Sequence, residues 1–185
     1  MDLALGRTAA ADETDLIAAC SRGERWAQKV LYETYFHDLL PVCSRYAGNA
    51  TEAMDLLHEG FIKVFRNIDR YQPNTSLGGW MRRLMVNTCI DQYRKEARRR
   101  TDDLDATFDL GTDEADAVSR CTEREILAAV QELTPVYRTI FNLYAVEGYS
   151  HREIAERLGV TESTSRSNLV KARQKLKAAL TALNR

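Results

Sequence analysis

Hydrophobic positions in this chain recur at steps of three and four, the period of one face of an α-helix. From Asp12 to Leu40, Leu16, Ile17, Ala27, Val30, Leu31 and Tyr35 follow this spacing with a break at Gly23, which predicts two helices or one interrupted helix. The stretch "EAMDLLHEGFIKVFRNIDRY" places Leu57, Phe61, Val64, Phe65 and Ile68 on one stripe and ends before Pro73 in a loop of turn formers. A third helix is predicted from near Trp80 to the basic cluster "RKEARRR", with Met81, Met85, Val86, Cys89, Ile90 and Tyr93 on its apolar side.

Beyond residue 120 the stop and start signals are sharper. A helix is expected from about Glu123 to Leu133. Thr134 then suits an N-cap, Pro135 a first helical position and Gly148 a terminator. Ser150 and Glu153 form a capping box ahead of Ile154 and Leu158, and Gly159 stops that helix. After Thr161, a further N-cap, Leu169, Leu176 and Leu183 fall at heptad spacing, with Val170 and Leu180 expected to widen the stripe. No alternating run framed by turn residues earns a strand, so the predicted fold class is all-α.

At 185 residues the chain can hold one average domain or two small ones. The segment Thr101 to Ala117 decides for two. It carries Asp102, Asp103, Asp105, Asp109, Asp113, Glu114 and Asp116 with no lysine or arginine, and so reads as a flexible acidic linker. The expected boundaries are 10–100, 101–119 and 120–185. Apolar runs fall far short of a membrane span and the N-terminus lacks a leader pattern, so a cytoplasmic protein without membrane insertion is expected. Cys20, Cys43, Cys89 and Cys121 are scattered without metal-ligand spacing and read as buried thiols; neither metal nor cofactor is expected.

The net charge of -1 conceals two basic segments that the acidic linker offsets. Between Thr75 and Arg100, seven arginines and lysines oppose Asp91 and Glu96, a balance of +5. On that helix Trp80, Asn87 and Arg94 share a narrow stripe flanked by Arg83 and Asp91, an aromatic among cations as single-stranded nucleic acid requires. Trp80 reads equally well as a packed anchor. From Thr161 to Arg185, six cations oppose Glu162, again +5. Two short helices about a glycine turn match a helix-turn-helix, which brings Ser163, Arg166, Ser167, Asn168 and Lys171 within reach of DNA, with Arg173 or Lys175 on phosphate. A helical hairpin with a solvated charged face is the alternative. The histidines His37, His58 and His151 sit on separate helices without a nucleophile beside them in sequence, so no catalytic set is expected.

In order and spacing, the blocks "DLIAACSRGERWAQKVLYETYF", "DLLHEGFIKVFRNIDRY", "SLGGWMRRLMVNTCIDQYRKEARR" and "LTPVYRTIFNLYAVEGYSHREIAERLGVTESTSRSNLVKARQKL" resemble regions 2 and 4 of the extracytoplasmic-function sigma factors of the sigma-70 family. The resemblance implies a factor that binds core RNA polymerase, directs it to promoters through the -35 and -10 elements and promotes DNA melting. It implies that region 2 fills 10–100 and region 4 fills 120–185, and that Asp55, His58 and Glu59 grip the clamp helices of the largest polymerase subunit. The loop Gln72 to Gly79, with Asn74, Thr75 and Ser76, would receive a base flipped from the -10 element, its glycines letting it reshape. Trp80, Arg83, Asn87 and Arg94 would stand beside it, and Ser163, Arg166, Ser167, Asn168, Lys171 and Arg173 would read the -35 element. The polymerase flap and an anti-sigma factor are the further implied partners. An ordinary helix-turn-helix regulator and a sigma mimic that only sequesters an anti-sigma protein are the competing expectations.

Overall fold

The computed structural model describes residues 13–72, 75–99 and 122–183, all helix and connecting turn. The acidic segment, Cys121 and Asn74 lie outside these residues.

Helix α1 (13–21) stops at Gly23, whose φ of 77° is the left-handed value a glycine tolerates, and α2 (Arg25–Tyr46) begins two residues on. Helix α2 passes beyond the expected Leu40 boundary and through Pro41. Asn49 caps α3 (Ala50–Asn67) by accepting from the Glu52 N–H, and a single 3-10 turn, Ile68–Arg70, closes it. Helix α4 (Leu77–Arg99) starts three residues earlier than the periodicity predicts. The reason is Ser76. Its Oγ accepts from the Gly79 N–H at 3.2 Å and its carbonyl from the Trp80 N–H at 2.9 Å, so Gly78 and Gly79 are wound into the first turn and do not loosen the loop.

Helices α2, α3 and α4 pack around Leu31, Leu57, Val64, Met81 and Met85. Helices α3 and α4 approach closely at Gly60. A Cβ there would meet Met85 Sδ at 2.1 Å, so the helix-interior glycine is explained by the close approach of α4. Cys20, Cys43 and Cys89 are buried and free. The neighbouring Cys43 thiol, together with burial, pushes the Cys89 thiol well up.

Thr122 opens α5 (Glu123–Glu132) with a capping box to Glu125. Pro135 takes the first position of α6 (Pro135–Phe141), although Thr134 makes no side-chain cap. A π-helical turn, Asn142–Val146, extends α6 to Gly148. The Ser150–Glu153 box starts α7 (His151–Leu158), Gly159 at φ 71° ends it, and Thr161 caps α8 (Glu162–Leu183) by accepting from the Thr164 N–H at 3.0 Å. Leu169, Leu176 and Leu180 are buried with Ala172, but Val170 is exposed and does not widen the stripe, because one residue's rotation of about 100° carries it off that face.

The two helical groups are in contact. One core runs from Ala19 in α1 through Ile90 in α4 and on to Ile140, Leu143, Ile154, Leu158 and Leu169, while a smaller cluster of Val130, Leu133, Leu176 and Leu180 joins α5 to α8. None of the helices among the described residues is long and apolar enough to cross a membrane.

Candidate nucleic-acid interface

Helix α8 is held at its buried edge and open on the other. Ser165 is fully buried with its hydroxyl 2.9 Å from His151 Nδ1, fixing the register of α8 against α7. Burial, then the nearby Arg166 charge, lower the His151 pKa. The His151 ring stacks on Tyr144 with centroids 4.7 Å apart, and the Arg173 guanidinium lies over the Tyr144 ring, 5.6 Å from its centroid.

On the open edge Ser163, Arg166, Ser167, Val170 and Arg173 are exposed. Arg166 pairs with Glu162 at 2.7 Å, an exposed i,i+4 contact of about 0.3–0.5 kcal/mol that a phosphate can displace. Asn168 does not share this edge. It is half-buried and about 160° from Arg166 around the axis, at about 100° per residue, so the two side chains leave α8 on different flanks. Lys171, also half-buried, lies between them. Val170 is the residue missed from sequence: counted as core, it lies among the polar residues, where an apolar side chain can meet a thymine methyl.

The stripe on α4 also forms. Arg83 and Asn87 are exposed, Arg94 and Trp80 half-buried. Lys63 of α3 neutralises Asp91 at 2.9 Å, which leaves the flank of the stripe to its arginines. Trp80 packs on the core and against Tyr71, centroids 5.6 Å apart, with part of its ring still exposed. The Thr75 hydroxyl donates to the Gln72 carbonyl at 2.9 Å, and the Tyr71 hydroxyl donates to the Thr75 carbonyl. Thr75 and Ser76 therefore shape the turn ahead of α4 with their own hydroxyls. The stripe has company from the other helical group: Asn87 Oδ1 accepts from Arg157 Nη1 at 3.1 Å, and Arg94 Nη2 donates to the Glu156 carbonyl at 3.3 Å.

Asp55, His58 and Glu59 line the outer face of α3, all exposed, with Ile62 beside them. His58 Nε2 lies 3.2 Å from the Tyr32 hydroxyl and its ring stacks on Tyr32, which ties this face to α2.

The helices so placed coincide with two family models. Sigma-70 region 2 matches residues 31–99, which take in most of α2 and all of α3 and α4, and Sigma-70 region 4 matches residues 123–176. Over 138 residues the chain is 34% identical to the ECF RNA polymerase sigma factor SigE of Mycolicibacterium smegmatis, covering 72% of this chain and 53% of that protein, so it spans about half the length of this relative. To the ECF RNA polymerase sigma factor EcfG of Rhodopseudomonas palustris it is 30% identical, over 72% of this chain and 74% of the relative. The solved structure of the sigma factor RpoE in complex with the anti-sigma factor NepR from Bartonella quintana has 19% identity and a TM-score of 0.49, covering 82% of this chain and 95% of that one. With both regions matched in order on the helices that carry the two cation-bearing faces, the chain belongs to the ECF sigma factors of the sigma-70 family.

Proposed function

We propose that this chain directs core RNA polymerase to promoters by reading the -35 element with the exposed edge of α8 and capturing the -10 element as single strand on the outer stripe of α4. The observation that supports this most is the pairing of two cation-bearing polar faces, one on each of the helical groups that the two region models match. On α8, Arg166 and Ser167 meet base edges, Val170 a thymine methyl, and Ser163, Arg173 and Lys171 the backbone. Asn168 contacts the DNA from the opposite flank of the helix. On α4, Arg83, Asn87 and Arg94 follow the displaced strand, with Thr75 and Ser76 at the mouth and Trp80 beside them.

Taking a paired base out of the stack costs a few kcal/mol, and one stacking contact returns about 1–3 kcal/mol, so a single turn cannot hold a whole bubble. Polymerase supplies the remainder. Asp55, His58 and Glu59 dock on the clamp helices, the α8-bearing unit docks on the flap, and RNA synthesis belongs to the polymerase while this chain does no chemistry. It works in the cytoplasm, under an anti-sigma partner.

Reconstituted transcription with core polymerase on a promoter library, with permanganate detection of unpaired thymines, is the test. Initiation with open-strand signals near -10 is the expected result; no initiation on any promoter overturns the reading. An ordinary helix-turn-helix regulator would bind duplex alone and elute apart from polymerase on gel filtration.

A further inference from the structure

The end of α2 is capped by side chains from the other helical group. A helix leaves its last carbonyls without intrahelical partners, at the negative end of its dipole. Here Gln131 Nε2 donates to the Ser44 carbonyl at 3.0 Å, Asn142 Nδ2 to the Arg45 carbonyl at 2.6 Å, and Arg138 Nη1 to the Tyr46 carbonyl at 3.1 Å. Arg138 is 6% exposed and is held in turn by the Leu133 and Gln131 carbonyls at 2.8 and 2.9 Å. It reaches the site over Gly48, where a Cβ would stand 3.2 Å from Nη1.

With this cap in place, the turn after α6 and helix α7 lie over α4. Arg82 Nη2 pairs with Glu147 Oε1 at 2.8 Å, and Arg82 and Arg83 share a cleft with Glu147, Tyr149 and Glu153. Arg157 occupies Asn87, and the Glu156 carbonyl occupies Arg94. Carboxylates and a carbonyl thus stand where the phosphates and bases of a captured strand would stand. The edge of α8 that carries Ser163, Arg166, Ser167, Val170 and Arg173 stays exposed.

We propose that Arg138, Asn142 and Gln131 form a latch that closes the free chain on itself, covering the strand-binding face of α4 while leaving the duplex-reading face of α8 available. The proposal rests on the reading of α4 given above. Distance requires the latch to part. Elements about 25 base pairs apart are separated by roughly 85 Å at 34–36 Å per turn of 10–10.5 pairs. A compact chain of 185 residues has a radius of gyration of about 16 Å and is about 40 Å across. The junction is also suited to parting. Arg138 Nε, Asn142 Oδ1 and the Tyr46 hydroxyl are buried there without hydrogen-bond partners, so opening returns three polar atoms to water.

The test uses the full chain without polymerase. Arg138→Met keeps side-chain length and removes every donor; Glu147→Gln removes the Arg82 ion pair and keeps the claim testable if the first variant misfolds, as judged by circular dichroism. Affinity for a fluorescent mixed-sequence single-stranded 20-mer is read by anisotropy and the radius of gyration by small-angle X-ray scattering. Because apparent affinity scales with the open fraction, Arg138→Met should bind the strand about tenfold more tightly and Glu147→Gln about threefold. Arg138→Met should also exceed the compact radius by more than about a tenth. Adding Asn87→Ala and Arg94→Ala to Arg138→Met should abolish the gain. Folded variants with unchanged radius and affinity overturn the latch; a larger radius without a gain, or a gain that survives the double alanine change, overturns the masking. A chain that opens as described yet never supports initiation loses the function reading and keeps the latch.

Discussion

Gly60 and Arg166 show how much one residue decides. A methyl group at Gly60 would fall on the thioether of Met85, itself fully buried. Gly60→Ala should therefore lose about 1–2 kcal/mol in urea unfolding, overpacking of about 1–3 kcal/mol being offset by up to about 1 kcal/mol of helix propensity. Met85→Ala costs about 2–5 kcal/mol on its own, but combined with Gly60→Ala the total loss should be smaller than the sum of the two, giving a coupled double-mutant cycle. Arg166 is the clean electrostatic probe, since its ion pair with Glu162 is exposed. Arg166→Gln should flatten the logarithmic salt dependence of duplex binding by about one unit, read from affinities across a salt series; an unchanged slope removes Arg166 from the phosphate contact.

At the scale of the element, the helix starts carry the predictions. Ser150→Ala removes the acceptor for the Glu153 N–H and should cost about 1 kcal/mol, measured by thermal or urea unfolding. His151 sets an acid limit on α7 and α8. Its folded-state pKa lies below its ordinary 6.5, so the unfolded chain takes the proton first. The corresponding stability is complete above pH 6.5 and is lost as pH falls through the lower folded value, a loss that His151→Phe should remove from urea titrations in that window. Glu125 and Glu153, held below 4.5 by their capping bonds to Thr122 and Ser150, add their own loss only below pH 4.5.

The capping signals and the three-four periodicity were legible because they are local: Gly23, the Ser150–Glu153 box, Gly159 and Thr161 stand where the sequence places them. What escaped depends on neighbours. Ser76 recruits both glycines into α4; Val170 differs from Leu169 by one step of rotation and so in burial; Asn168 and Arg166 looked adjacent in sequence and lie on opposite flanks. Contact between the two helical groups left no sequence signal at all. Gln131, Arg138 and Asn142 are ordinary polar residues until the end of α2 stands opposite them.

For the whole molecule, the core that passes from α1 to Leu169 without interruption has a calorimetric consequence. Two domains on a flexible tether should melt independently. Two that share buried Ile140, Leu143 and Ile154 with the α2–α4 bundle should melt as one cooperative unit, the van't Hoff enthalpy equal to the calorimetric enthalpy for the full chain. Arg138→Met should divide that single endotherm in two. A wild-type chain that already shows two would mean the shared core contributes nothing to cooperativity. Heat capacity thus counts, without any added ligand, how many independent bodies this chain comprises.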